Sequence, residues 1–219
     1  MSVSVPDGAV RVPGFDVVFR ADRADGKRGG GVLLLVRDGL RCSRRADLEV
    51  WTESVRIEVR SQSARGSFIV SCLYRPPTAD PQALGAALED SMDKILLSDS
   101  FSDVVVVGDF NATSPAWCAT DSYNAAGRLL EPVFLQLGLH QCMSTPTHLS
   151  STGNLGALLD VVLVSNAYVV SCVSTHPPLG KSDHLAVSCQ LVASKRSQRL
   201  SCSGWRIWCY DKADFPKII

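Results

Sequence analysis

Three short motifs place acidic side chains and a histidine beside apolar stretches of the chain. The first is Gly108-Asp109-Phe110-Asn111, which follows the apolar run 104–107. The second is Asp160, inside the apolar run 158–164, and the third is Ser182-Asp183-His184, just before the run 185–192. Carboxylates are the ligands that hard cations prefer, and an imidazole can exchange a proton near neutral pH. If the fold brings them together, these motifs predict metal-assisted acid–base chemistry.

Each motif also has an ordinary structural explanation. Asp109 and Asn111, which alternation places on one face, are common turn residues. Asp160 is costly in a β-branched run unless it is paired or bound to a metal, but it could face water on an edge strand. The third motif could be a turn with a solvated histidine. The remaining histidines, His140, His148 and His176, have no acidic residue beside them in the sequence, and we expect them to have structural roles.

These motifs must be positioned by a fold with many strands and few helices. The stretch 55–59 alternates with period two, and 104–107 is β-branched throughout, as buried strands tend to be. Leu84, Leu88, Met92, Ile95 and Leu96 share one face of a helix predicted from about Pro81 to Leu97, with Asp80 as its cap. A second helix, marked by Leu129, Leu130, Val133, Phe134 and Leu137, ends at Gly138. The pattern predicts an α/β or α+β fold built on sheets.

Composition and charge narrow the class of protein. The chain has 219 residues, 46% of them hydrophobic, which excludes disorder, collagen and coiled coil as descriptions of the whole. No stretch is long enough to span a membrane and no secretory signal opens the chain, so an intracellular location is expected.

Net charge is zero, but residues 1–65, 66–192 and 193–219 carry +3, −7 and +4. The eight cysteines include no Cys-x-x-Cys pair, and a reduced compartment is favoured over disulfides.

In order and spacing, the three motifs resemble the endonuclease/exonuclease/phosphatase superfamily. Further features resemble one branch, the apurinic-type endonuclease domain of jockey-like non-LTR retrotransposon polyproteins. They are Arg20-Ala21-Asp22-Arg23, Arg28-Gly29-Gly30-Gly31-Val32, Tyr74-Arg75-Pro76-Pro77, Pro115-Ala116-Trp117, Gly138-Leu139-His140-Gln141 and Pro146-Thr147-His148. The resemblance covers roughly 12–192. We expect an endonuclease domain at 1–193 and, at 194–219, a basic, tryptophan-containing connector toward a reverse transcriptase.

The resemblance implies a fold, a reaction and a role for each matched residue. The fold would be a four-layer, DNase I-like sandwich of two mixed sheets flanked by helices. The reaction would be phosphodiester hydrolysis in DNA with Mg²⁺ or Mn²⁺, without a small-molecule cofactor or a membrane, and in the nucleus if the chain is functional. Asp109 would orient or deprotonate the attacking water, and Asn111 would hold that water and a phosphate oxygen. Asp183 would contribute to the metal site, and Ser182 would help to bind substrate. His184 would contact the scissile phosphate, Asp160 would fix its tautomer, and Tyr74 would contact phosphate.

One part of the family pattern is not found. The family's first strands carry an Asn and a Glu that ligates the metal, and in related elements the Glu precedes a segment like Ser4-Val5-Pro6-Asp7-Gly8. Glu49, Glu53 and Glu58 lie too late, and we expect Glu53 at a solvated edge position. The sequence thus suggests a domain without its first strands and with impaired activity. The alternatives are a non-catalytic remnant with residual nucleic-acid binding and, disfavoured by the retrotransposon-like features, a phosphatase or sphingomyelinase.

Overall fold

The computed structural model describes residues 10, 12–23, 30–60, 67–98 and 101–192. The proposed connector 194–219 and the segment 4–8, which resembles the one that follows the metal-binding Glu in related elements, lie outside the described residues. The described strands are β1 Phe15–Ala21, β2 Val32–Arg37, β3 Arg41–Arg44, β4 Ser54–Arg60, β5 Ser67–Tyr74, β6 Phe101–Asp109, β7 His140–Gln141, β8 Asp160–Val164, β9 Val170–His176 and β10 Ala186–Leu191. The described α-helices are α1 Pro81–Leu96 and α2 Ala125–Gln136.

A six-stranded mixed sheet forms the centre of the molecule, in the order β3-β4-β5-β6-β8-β7. Its one parallel pair is β5 with β6, and α1 makes the crossover between them. β8 runs antiparallel to β6, so the first residue of β8 lies beside the last residue of β6. This topology brings the ends of β5 and β6 and the start of β8 to the same edge of the sheet.

The two faces of this sheet are covered differently. Apolar residues of α1 and α2, among them Leu88 and Leu130, form the largest core cluster with Ile69 and Val106 of the sheet. The opposite face packs against antiparallel hairpins, β1–β2 over β4 and β5, and β9–β10 over β6 and β8. The described residues therefore form an α/β sandwich, and the predicted fold class is confirmed.

The helices follow their sequence signals with small differences. α1 begins at Pro81, and the Asp80 side chain caps it by accepting a hydrogen bond from the Gln82 amide. α2 begins before the predicted apolar stripe, because the Asn124 side chain accepts from the Gly127 amide and caps the first turn. Leu96 and Leu129 were expected on buried faces but are exposed. In the part of the chain described, no helix has the length and hydrophobicity needed to cross a membrane.

Candidate active site

Three side chains of the candidate site lie side by side on neighbouring strands. Tyr74, the last residue of β5, pairs with Asp109, the last residue of β6. Asp109 in turn lies opposite Asp160, the first residue of β8. Directly paired residues project from the same face of a sheet. Tyr74, Asp109 and Asp160 therefore form one row at the edge of the sheet, on the face that the hairpins cover.

Asn111 shapes the turn that follows β6. Its backbone amide donates to Oδ1 of Asp109 at 2.9 Å, and its Nδ2 donates to Oδ2 of Asp109 at 3.1 Å. Nδ2 also lies 2.9 Å from the carbonyl of Arg75. Asn111 has a φ of 47°, in the left-handed region that asparagine enters more readily than most residues. Both carboxylate oxygens of Asp109 are thus held by one neighbouring residue.

The side chain of Arg75 donates hydrogen bonds to the backbone of this turn, a role that was not predicted from the sequence. Its side chain is buried, and its guanidinium donates to the carbonyls of Phe110 at 2.7 Å and Asn111 at 2.8 Å. It also donates to the carbonyl of Ala79 at 2.5 Å, in the loop between β5 and α1. In the sequence, Arg75 stands between an apolar strand and two prolines. A charged residue in a turn is expected to be exposed, so its burial was not predicted.

His184 is joined to the row through Asp160. Its Nδ1 lies 2.7 Å from Oδ2 of Asp160, which confirms the predicted contact between these two side chains. The hydrogen bond fixes Nδ1 toward the carboxylate and leaves Nε2 as the other ring nitrogen for a substrate. Asp109, Asp160 and His184, which span 76 positions of the sequence, are thereby brought to one place.

Asp183, Ser182 and His148 lie beside His184. The Asp183 side chain is 74% exposed, and its Oδ2 is 3.5 Å from Nε2 of His148. The His148 ring contacts the His184 ring edge-on, with centroids 5.2 Å apart. Ser182 accepts a hydrogen bond from the His184 amide through its Oγ at 3.0 Å. His148, expected to be only structural, therefore lies in the candidate site, brought there by a bridge between its backbone and that of His184.

Glu53 is buried, contrary to the expectation from the sequence. Its residue surface is 5% exposed, so it does not lie at a solvated edge. Its Oε2 accepts a hydrogen bond from the Gly31 amide at 2.8 Å, and its backbone carbonyl accepts from the Tyr74 amide at 2.9 Å. Alternation along the sequence could not reveal this, because the partner that buries Glu53 is the turn before β2.

Comparison with known proteins decides the family. A sequence profile described as endonuclease-reverse transcriptase matches residues 68–188, more than half of the chain. The chain belongs to the endonuclease-reverse transcriptase family. The matched region contains Tyr74, Asp109, Asn111, Asp160 and His184. No curated protein sequence matches the chain.

Solved structures share the fold of this endonuclease-family chain. One is the endonuclease domain of TRAS1, a telomere-specific non-LTR retrotransposon, with a TM-score of 0.64, 20% identity, and coverage of 80% of this chain and 78% of that one. The AP endonuclease LMAP from Leishmania major has a TM-score of 0.63 and 15% identity over 84% of this chain and 72% of that one. The mannosyl-6-phosphatase Bt3783 from Bacteroides thetaiotaomicron has a TM-score of 0.56 and 14% identity over 83% and 78%. At these identities the likeness establishes the fold.

The ionisable groups of the endonuclease-family site influence one another. Burial, with a smaller contribution from the charge of Asp160, raises the pKa of Asp109 to about 6, against the lowering effect of the Asn111 hydrogen bonds. Burial would lower the pKa of His184, but the hydrogen bond and charge of Asp160 and the charges of Asp109 and Asp183 together outweigh it, and the pKa is raised. Burial and the charges of Asp109 and Glu53 raise the pKa of the Tyr74 phenol. Asp109 is therefore more basic than an ordinary aspartate, and His184 is more readily protonated than an ordinary histidine.

The candidate site contains carboxylates of the kind that bind a divalent cation. Magnesium requires near-octahedral oxygen coordination, and here Asp109 and Asp183 supply oxygens of the preferred type. Among the described residues, however, no three Asp, Glu, His or Cys side chains form a group that could hold a metal ion. The described residues thus do not fit a complete metal site.

Proposed function

We propose that this chain is the endonuclease domain of a non-LTR retrotransposon polyprotein and that it nicks one strand of target DNA to prime reverse transcription. The observation that carries the proposal is the Asp160–His184 hydrogen bond of 2.7 Å beside Asp109 on the neighbouring strand. This arrangement supplies a carboxylate base and an oriented imidazole in one place, as hydrolysis of a phosphodiester requires. Membership of the endonuclease-reverse transcriptase family and the fold shared with the TRAS1 domain support it.

Asp109 is assigned the attacking water. A base works best when its pKa lies near the working pH, and the pKa of Asp109, at about 6, is closer to neutral than that of an exposed aspartate. The two hydrogen bonds from Asn111 keep the carboxylate in a fixed orientation. In this proposal Asp109 orients the water and accepts its proton, while Oδ1 of Asn111 accepts a hydrogen bond from the same water. The expected contact of Asn111 with a phosphate oxygen is not retained, because its two Nδ2 hydrogens bond to Asp109 and to the Arg75 carbonyl.

In this proposal, His184 contacts the scissile phosphate. Because Asp160 holds Nδ1, Nε2 is free to donate a hydrogen bond to a phosphate oxygen as negative charge builds in the transition state. The raised pKa of His184 favours the protonated ring that such a contact needs. Tyr74, next to Asp109 on β5, and Ser182, beside His184, are proposed to bind the same phosphate group.

A divalent cation, Mg²⁺ or Mn²⁺, is part of the proposal because of the family resemblance, with Asp183 as the proposed ligand among the described residues. Asp183 is suited to this by its exposed carboxylate next to His184. DNA as substrate, a reverse transcriptase in the same polyprotein and action in the nucleus belong to the proposal on the same ground.

A plasmid-nicking assay tests the function. The purified 219-residue chain, with Mg²⁺ or Mn²⁺, is expected to convert supercoiled plasmid to the open-circular form only very weakly, because the described residues do not complete a metal site. EDTA is expected to stop the conversion. Asp109→Ala and His184→Ala should each lower the rate about 10²-fold or more, because each removes a group that acts in the transition state. His176→Ala is the matched control: His176 contacts Ser188 on the β9–β10 hairpin, and its removal should leave the rate unchanged.

Two outcomes would contradict the proposal. Nicking that continues unchanged in both Asp109→Ala and His184→Ala would show that the activity does not come from this site. A wild-type chain that binds DNA in a fluorescence-anisotropy titration but does not nick it would favour the alternative, a non-catalytic remnant with residual nucleic-acid binding.

A further inference from the structure

The ring of Tyr74 rests against a glycine turn that has no room for a side chain. Gly30 and Gly31, just before β2, both have a φ of 85°. A Cβ placed on Gly30 would lie 2.8 Å from Cε1 of Tyr74 and 3.1 Å from Oε2 of Glu53. The space beside Gly30 is therefore filled by the tyrosine ring and the Glu53 carboxylate, and any larger residue would have to displace one of them.

Glu53 ties this turn to the strand that carries Tyr74. Its carboxylate accepts from the Gly31 amide at 2.8 Å, and its backbone carbonyl accepts from the Tyr74 amide at 2.9 Å. Its other carboxylate oxygen lies 3.9 Å from Nε of Arg23, on the chain that leads away from β1. A buried carboxylate is costly unless it is hydrogen-bonded or paired. The hydrogen bond from Gly31 and the nearby Arg23 guanidinium therefore stabilise the buried Glu53 side chain.

We propose that Glu53 is a positioning residue that, by holding the Gly30–Gly31 turn against the Tyr74 ring, sets the place of the Tyr74 hydroxyl in the site. The consequence for cleavage rests on the proposed function, in which Tyr74 contacts the phosphate. Tyr74 is held on its other side by its pairing with Asp109. The pairing with β6 positions the backbone of Tyr74 and the turn lies against its ring, so loss of the turn leaves the ring free to move relative to Asp109.

The position of the ring can be measured without any cleavage reaction. In NMR spectra of protein with ¹³C-labelled tyrosine, with the Tyr74 signal assigned through Tyr74→Phe, Gly30→Ala and Glu53→Ala should each shift the Tyr74 ring resonances. Gly39→Ala is the matched control, because Gly39 has the same φ of 85° but a Cβ there would meet nothing within 4 Å. Glu53→Gln keeps an oxygen that can accept from the Gly31 amide, and its spectrum should stay closer to wild type than that of Glu53→Ala.

Kinetics of plasmid nicking test the consequence for the reaction. Gly30→Ala and Glu53→Ala should lower kcat about 10- to 100-fold, with a smaller change in KM, because a misplacement of about 1 Å can have an effect of this size. Glu53→Gln should restore most of the rate. In a Tyr74→Ala background, Gly30→Ala and Glu53→Ala should lower kcat no further, whereas a general loss of folding would still add to the defect.

The two arms separate this inference from the proposed function. Tyr74 resonances that do not move in either Gly30→Ala or Glu53→Ala would overturn the inference, even if the wild-type chain nicks DNA. Equal shifts in Gly30→Ala and Gly39→Ala would also overturn it, because strain alone would then explain the change. A wild-type chain that does not nick DNA would contradict the proposed function, while the NMR comparison would still decide whether Glu53 positions the tyrosine.

Discussion

At the scale of single residues, the charge of His184 depends on the carboxylates around it. Asp160 makes the direct hydrogen bond at 2.7 Å, and Asp109 and Asp183 act on the imidazole through their charge alone. All three favour the protonated ring, against a burial that disfavours it. The imidazole is therefore a group whose charge is set by residues from three different parts of the chain.

Removal of Asp160 should lower the pKa of His184. Asp160→Asn removes both the charge and the carboxylate that accepts the Nδ1 proton, so only burial and weaker interactions remain. The pKa can be measured by NMR titration of the His184 ring protons. Asp183→Asn is the control, and it should lower the pKa by less, because Asp183 makes the smallest of these contributions. A larger effect of Asp183→Asn than of Asp160→Asn would contradict the assigned geometry.

At the scale of elements, the turn after β6 depends on a neighbouring strand end for its shape. The guanidinium of Arg75, which follows β5, donates hydrogen bonds to the carbonyls of Phe110 and Asn111 in the turn. Arg75 also donates to a carbonyl in the loop before α1. Its own amide donates to the Asp109 carbonyl at 2.9 Å. Burial lowers the pKa of Arg75, but the guanidinium remains charged at neutral pH. One buried cation thus fixes the turn that presents Asp109 and Asn111.

Arg75→Ala should lower the free energy of unfolding by about 3 kcal/mol or more, because several buried carbonyls lose their donors at once. Arg75→Lys should be intermediate, because an ammonium cannot reproduce the planar arrangement of guanidinium donors. Urea denaturation provides the measurement. As a control, Arg128→Ala on α2 should change the free energy of unfolding by only about 0.5 kcal/mol, since Arg128 is exposed and its guanidinium lies over the Tyr123 ring at 5.1 Å from the centroid. Equal effects of the two alanine variants would contradict the role assigned to Arg75.

At the scale of the whole molecule, the core and the candidate site share a segment of chain. Phe110 lies between Asp109 and Asn111, and it is fully buried on the helix side of the sheet. Its ring meets Phe134 of α2 edge-on at 5.6 Å, and Phe134 stacks on Trp117 at 5.4 Å. Packing of α2 on the sheet therefore bears directly on the turn that carries Asp109.

Phe134→Ala should lower the free energy of unfolding by about 3–5 kcal/mol, because it leaves a cavity between two aromatic rings. Leu135→Ala is a matched control on the same helix: Leu135 is 72% exposed, while Phe134 is 2% exposed, so the control should change stability by less than about 0.5 kcal/mol. Urea denaturation of both variants measures the difference. A small effect of Phe134→Ala would mean that α2 contributes little to holding the Asp109 turn.

Features that depend on neighbours in the chain could be predicted from the sequence. The period of apolar residues located α1 and most of the strands, and Asp80 marked the beginning of α1 correctly. The motifs at Asp109, Asp160 and His184 were visible because each lies beside an apolar strand, and the order of the motifs indicated the family. The short strands β3 and β7 were not predicted, since four and two residues carry too little pattern.

Features that depend on residues far apart in the sequence became visible only in the folded chain. Asp109 lies opposite Asp160 only because β8 pairs with β6, and no spacing in the sequence specifies that register. Glu53 is buried because a turn 22 positions away covers it, and Arg75 acts on carbonyls 35 and 36 positions away. His148 reaches His184 through a bridge between two loops. Sequence periodicity reports which face of an element is apolar, but the partner that a polar side chain meets is set by how the elements pack, and this is why these residues were misjudged or missed.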